Sequence, residues 1–167
     1  MKAAIFDIDD TLLSSKEDEE DDFIQLARNL LDRANEDEET LTVLLTARAE
    51  EIRDETIEKL NEAGINFDRL YMRPENRFEV RDEVYKKSVL EDLRSEGLDI
   101  SFAVDDKNFV AEMWRDNNVT CLKLPERQYL RNRFYRKTRK LYPLLPRPLQ
   151  RLFQRYYRYR YRKRIKD

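Results

Sequence analysis

The sequence predicts a three-layer α/β fold, a parallel sheet with helices on both faces, followed by a basic C-terminal extension that is helical or flexible. Three observations predict it. Short apolar runs alternate with segments of helical periodicity as far as residue 124. The chain's two glycines, Gly64 and Gly97, stand where helical segments stop. The charge also changes sign near Pro125: residues 125–167 hold 16 Lys and Arg against 2 acids, a net of +14, and the preceding residues hold 17 against 33, a net of −16. A total of −2 over 167 residues therefore conceals an acidic domain over 1–124 and a basic arm over 125–167.

The first apolar run, Ala3 to Ile8, reads as a buried strand that delivers Asp7 and Asp9 at its C-terminal end. An acidic loop from Glu17 to Asp22 leads into a helix over about 22–34, where Phe23, Ile24, Leu26, Ala27, Leu30 and Leu31 recur at helical spacing. Leu41 to Leu45 forms the second strand, ending at Thr46 and Arg48, and the next helix carries Ile52, Ile57 and Leu60 up to Gly64. Phe67 to Met72 is the third strand, and Asp82 to Glu96 the helix closed by Gly97. Ile100 to Val104 is a strand ending at Asp105 and Asp106, a helix carries Phe109, Val110, Met113 and Trp114, and Val119 to Leu124 is the last strand. In parallel sheets ligands bind beyond the carboxyl ends of the strands, and Asp7, Asp9, Thr46, Arg48, Asp105 and Asp106 all fall at that edge.

Composition excludes several chemistries. Histidine is absent, which rules out imidazole triads, imidazole bases and phosphohistidine, so acid–base work falls to carboxylates, Lys, Tyr or the lone Cys121. One cysteine cannot close an intramolecular disulfide and suits a reducing compartment; it sits in an apolar run and reads as core. No apolar stretch approaches the roughly 20 residues of a membrane span, and the N-terminus lacks a signal-peptide pattern, so a soluble, cytoplasmic protein is expected.

Two carboxylates spaced as in Asp7-Ile8-Asp9-Asp10-Thr11-Leu12, leaving the end of a buried strand, suit phosphate-ester hydrolysis. A carboxylate is ionised at neutral pH without a helper base, so Asp7 is the candidate nucleophile. Asp9 is placed to protonate the leaving oxygen and then to deprotonate the hydrolytic water. The bland alternative for such a DxD pattern is a solvated strand end.

Four motifs together resemble the haloacid dehalogenase-type phosphohydrolases, over residues 1 to about 124. They are DxDxT at Asp7, Asp9 and Thr11; Thr46 ending the hydrophobic strand; a lysine on a later helix, at Lys86; and the paired acids Asp105-Asp106 after a strand. The resemblance implies a Rossmann-like sheet, an aspartyl-phosphate intermediate and Mg²⁺ held by Asp7, Asp105, Asp106 and the backbone carbonyl of Asp9. It also implies that Thr46 hydrogen-bonds a phosphoryl oxygen and that Lys86 neutralises the nucleophile. Lys87 competes with Lys86 for that role. The stretches Asp82 to Lys86, Thr46-Ala47-Arg48, and Ala103 to Asn108 leading into Val110 to Arg115 are similar to phosphatase domains of polynucleotide kinases. That likeness favours Lys86 and implies a terminal 3′-phosphate of nucleic acid as substrate; a small-molecule or nucleotide phosphatase, or a non-catalytic binding protein on the same fold, are the alternatives. Arg48 and Thr11 are expected to contact substrate, Arg48 holding a phosphate bidentately or else pairing with Glu50 or Glu51 at the surface. Met113 and Trp114 read as core.

Capped members of these phosphohydrolases carry a lid domain after the first or second motif. Here the connections after Thr11 and after Gly64 are short, so the site is expected to be essentially uncapped and open to a macromolecular end. The kinase's GxxxxGK[ST] phosphate loop is absent from the sequence. In the arm, seven of the nine tyrosines, at 129, 135, 142, 156, 157, 159 and 161, are interleaved with Arg and Lys. Cations for phosphates and rings for unpaired bases suit single-stranded nucleic acid. Docking on the acidic domain and lying on an anionic membrane are the competing readings.

Overall fold

The computed structural model describes residues 1–14, 22–75 and 80–126. The acidic loop up to residue 21, the helical spacing expected beyond Glu126 and the tyrosine-rich end of the arm lie outside the described residues. Residues Met1–Arg127 form one compact unit.

In chain order the elements are β1 (Lys2–Phe6), α1 (Asp22–Asn35), β2 (Thr40–Ala49), a 3₁₀ turn at Glu50–Ile52, α2 (Arg53–Glu62), β3 (Arg69–Arg73), α3 (Asp82–Ser95), β4 (Asp99–Asp105), α4 (Asn108–Asp116) and β5 (Cys121–Lys123). The five strands form one sheet in the order β3-β2-β1-β4-β5, and every pairing is parallel. The first three strands add in one direction, and the connection through α3 then crosses to the other side of β1. That reversal opens the crevice of such sheets between the carboxyl ends of β1 and β4.

Alternation along the strands explains the two covered faces. Ala3 and Ile5 of β1, with Val43 and Leu45 of β2, pack against Tyr85, Val89, Leu90 and Leu93 of α3 and Val110, Met113 and Trp114 of α4. Ala4, Phe6 and Leu44 point the other way, onto Ala27 and Leu31 of α1 and Leu60 of α2. A central strand buried on both faces must be apolar throughout, as Ala3 to Phe6 is. Met113 and Trp114 are buried core residues, as expected.

Three helices stop in the same way. The N–H of Ile65 bonds the carbonyl of Leu60, that of Leu98 the carbonyl of Leu93, and that of Val119 the carbonyl of Trp114. This closure needs a residue with φ near +60° in between, supplied by Gly64 (φ 68), Gly97 (φ 83) and Asn118 (φ 58). The first two were legible as glycines; the third uses the short amide side chain that tolerates this conformation.

Three expectations shift. Phe23 and Leu26 belong to the helical apolar set, yet they are exposed, because Ile24, Ala27, Leu31 and Ala34 are the residues of α1 that reach the sheet. The last strand is only Cys121–Lys123, and Cys121 is half-buried at the sheet edge rather than inside the core. Its thiol is pushed up to about 11, mainly by burial, so it is a poor nucleophile at neutral pH. Thr46 and Arg48 lie within β2, which runs on to Ala49. Among the described residues no helix is long and apolar enough to cross a membrane.

Candidate active site

Asp7 is the first residue after β1, and its N–H bonds the carbonyl of Val104 at 2.9 Å, which ties it to the end of β4. The chain then folds sharply: the N–H groups of Thr11, Leu12 and Leu13 converge on the carbonyl of Ile8, and Asp10 takes φ 61. An aspartate tolerates that left-handed conformation better than a β-branched residue would. The turn holds Asp9 at the rim of the crevice and brings Thr11 inside, fully buried.

Lys86, on the second turn of α3, is fully buried, and its Nζ donates to Asp7 Oδ1 and, at 2.5 Å, to Asp105 Oδ2. Lys87 is the next residue round the helix and points away, with Nζ 3.8 Å from Glu91 in an exposed pair. Lys86, and not Lys87, is therefore the lysine beside Asp7. Burial works against the ammonium charge, but Asp105 and Asp7 together hold Lys86 above the ordinary lysine range.

Asp7, Asp105 and Asp106 each place a carboxylate oxygen within 4.8 Å of the others. Burial pushes Asp7 up to about 6 despite the opposing charge of Lys86, and it pushes Asp106 up to about 8 with the help of Asp7 and Asp105. Asp7 Oδ2 and Asp106 Oδ1 are buried without a hydrogen-bond partner among the described residues. Three crowded carboxylates, two of them with an oxygen unpartnered among the described residues, and one shared ammonium fit a hard divalent cation such as Mg²⁺. The side chain of Asp9 is not in this group.

Asp9 instead faces Arg48. Arg48 Nη2 donates to Asp9 Oδ1 at 2.9 Å and Nε to Oδ2 at 3.1 Å, a two-pronged pair, while Nη1 reaches Thr56 Oγ1 at 3.3 Å. Arg48 is buried rather than a surface group, and Glu50 pairs with Arg53. Thr46 is buried, with Oγ1 accepting the N–H of Arg48 at 3.2 Å. Thr11 Oγ1 is buried with no hydrogen-bond partner among the described residues. The structure thus gathers Asp7, Lys86, Asp105 and Asp106 in one cluster and seats Asp9 with Arg48.

A second network was missed by the sequence reading. Asp82, one helical turn before Lys86, accepts from Arg73 Nη2 at 2.5 Å and from Lys107 Nζ at 2.9 Å. Arg73 ends β3 and lies over the Tyr85 ring, 5.7 Å from its centre. Burial opposes the charge on Asp82, yet Lys107 and Arg73 hold it well below the usual carboxylate range. The i, i+4 spacing of Asp82 and Lys86 was a signal for a shared face, but an acid in the first turn of a helix has a sufficient explanation in the helix dipole.

A parallel sheet with this cluster at the reversal of strand order has the arrangement expected of a phosphatase of the haloacid dehalogenase-like class. Residues 1–129 match the polynucleotide kinase PNKP phosphatase domain family, and the chain belongs to it. It is also similar to chains in two solved structures. The structure of a Pnkp1/Rnl/Hen1 RNA repair complex matches with 26% identity and a TM-score of 0.66, covering 77% of this chain and 43% of that one. The structure of a Pnkp1/Rnl/Hen1 complex matches with 25% identity and a TM-score of 0.66, covering 77% of this chain and 47% of that one. This chain therefore spans less than half the length of those proteins. Comparison with curated protein sequences gave no match.

Proposed function

We propose that the domain hydrolyses phosphomonoesters at nucleic-acid ends, with a 3′-phosphate preferred, through an aspartyl-phosphate on Asp7 and with Mg²⁺ bound by Asp7, Asp105 and Asp106 and by the carbonyl of Asp9. The single observation that carries the reading is the environment of Asp7. One oxygen is engaged by Lys86, the other is buried without a hydrogen-bond partner among the described residues, and the carboxylates of Asp105 and Asp106 lie alongside.

The roles follow from position. Asp7 attacks phosphorus, and the aspartyl oxygen–phosphorus bond forms as the ester oxygen leaves. Asp9, at the rim with its side chain 39% exposed, delivers the proton to that oxygen and later takes one from the water that hydrolyses the acyl phosphate. Thr46 and Thr11 offer hydroxyls to phosphoryl oxygens, and Lys86 offsets charge on Asp7. Arg48 orients Asp9 and lies within reach of an entering phosphate. The cation, when bound, offsets the repulsion between the nucleophile and the phosphate dianion.

The substrate class is supported by family membership, by connections after Thr11 and Gly64 too short in the sequence for a lid domain, and by the relation of one matched structure to RNA repair. Gln128 to Asp167 is read as part of a basic arm that tethers polynucleotide without taking part in the chemistry, and the lone cysteine suits a reducing, cytoplasmic setting. The decisive measurement is phosphate release from 3′-phosphorylated and 5′-phosphorylated oligonucleotides and from a nucleoside monophosphate, with Mg²⁺ and with EDTA. The reading expects the 3′ end to be fastest, chelator to abolish turnover, and Asp7→Asn to be inactive. Equal rates on all three substrates would remove the nucleic-acid assignment. Turnover by Asp7→Asn would remove the nucleophile.

A further inference from the structure

Lys107 directly follows Asp105, the last residue of β4, and Asp106, and its backbone N–H bonds Asp105 Oδ1 at 3.0 Å. Its Cα is thereby fixed beside the carboxylate cluster. The side chain has a four-carbon stem and carries an ammonium that is nearly buried, its side chain being 11% exposed, so water screens its charge little. Two destinations compete for it. One is the group of Asp7, Asp105 and Asp106, where Lys86 donates to Asp7 and Asp105 and two oxygens have no hydrogen-bond partner among the described residues. The other is Asp82, which the ammonium reaches at 2.9 Å.

Asp82 is itself fixed from two sides. It stands in the first turn of α3, one turn ahead of Lys86, and Arg73 holds its other oxygen from the end of β3. Asp82 therefore presents a preplaced negative charge that draws Lys107 away from the cluster.

We infer that Asp82 is a positioning residue which restrains the Lys107 ammonium and so keeps it from occupying the divalent-cation site formed by Asp7, Asp105 and Asp106. Without the restraint the chain's own ammonium competes with the metal for the same oxygens. The inference rests on the proposed cation site, and its test separates failure of that site from failure of the restraint.

Mn²⁺ and Mg²⁺ are titrated calorimetrically, without substrate, into the full-length protein and into Asp82→Asn, Lys107→Met and the double variant. Asparagine keeps an acceptor for Arg73 and removes the charge that holds Lys107. Asp82→Asn is expected to weaken cation binding by roughly 10–100-fold, the usual effect of disturbing groups behind metal ligands. Removing the competitor as well is expected to return the double variant to near the wild-type affinity. A loss that persists in the double variant overturns the inference, because Asp82 is then acting through the general structure of the site. Lys107→Met alone is expected to bind at least as tightly as wild type; weaker binding overturns the inference even if Asp82→Asn does not fold. Absence of binding by the wild type removes the cation site and the inference with it.

Discussion

Two carboxylate–cation pairs stand two residues apart in the sequence and differ in almost every physical respect. Asp7 with Lys86 is an inner pair, 2% and 0% exposed in its side chains and shared with Asp105. Asp9 with Arg48 is an outer pair in which the arginine is buried at 7% and the carboxylate keeps 39% of its side chain exposed. Charges in the low-dielectric interior interact several times more strongly than at the surface, and they lose more when a partner is removed. The difference suits two tasks. A nucleophile benefits from fixed neutralisation and exclusion of water, whereas a group that passes a proton to a leaving oxygen and to a water must meet both.

The comparison breaks most sharply at Lys86. Replacement by Met leaves Asp7 and Asp105 crowded without their shared ammonium, and stability should fall by about 3–5 kcal/mol, the range for removing one partner of a buried pair. Urea unfolding measures this, and turnover should fall at least about 100-fold, as when a preorganised electrostatic contact to the reacting group is lost. Lys87→Met, next to it on the exposed side, should stay within about 0.5 kcal/mol of wild type. Equal losses for the two would mean that the inner pair has no special standing.

A smaller effect concerns pH. In the folded, metal-free protein Asp7 is raised to about 6 and Asp106 to about 8, so the folded state keeps protons that the unfolded chain releases near pH 4. Protons bound by the folded state exceed those of the unfolded state across that window, so stability falls as pH rises from about 4 to 8. In the proposed site a divalent cation would take the place of those protons. The melting temperature in EDTA should therefore decline over this range, and the increment given by Mg²⁺ should grow by several degrees between pH 5 and pH 8. A Mg²⁺ increment that is flat with pH would detach cation binding from these two carboxyls.

The three acids of the inner cluster were legible because each ends or follows a recognisable apolar run, Asp7 after Ile5-Phe6 and Asp105-Asp106 after Ala103-Val104, whereas Lys86 was preferred to Lys87 only through the family resemblance. Strand ends on one edge of a parallel sheet converge, so one-dimensional position was enough. The outer contact was not legible. That Arg48 turns toward Asp9 rather than toward Glu50 depends on β2 continuing to Ala49 and on the turn centred on the carbonyl of Ile8, where Asp10 adopts φ 61 without being glycine. The Arg73–Asp82–Lys107 network joins β3, α3 and the start of α4, and no spacing rule links residues so far apart. Helix faces were legible only in part, since spacing places Phe23 and Ile24 equally well, and only packing on the sheet chooses Ile24.

The smallest expected effect decides what the outer pair is for. Arg48→Lys keeps the positive charge and loses the planar fork that grips both oxygens of Asp9. If Arg48 works by orienting Asp9, the variant should lose about tenfold in kcat, near 1.4 kcal/mol, with KM for a phosphorylated oligonucleotide almost unchanged. If Arg48 mainly grips the phosphate in the ground state, KM should rise and kcat should hold. The pair Asp9→Asn and Arg48→Lys closes the argument as a double-mutant cycle. An arginine that acts through Asp9 has nothing left to orient once the carboxylate is gone, so the double variant should lose no more than Asp9→Asn alone. Additive losses would show that Arg48 serves the substrate independently, and the outer pair would then be two separate contributions that happen to touch.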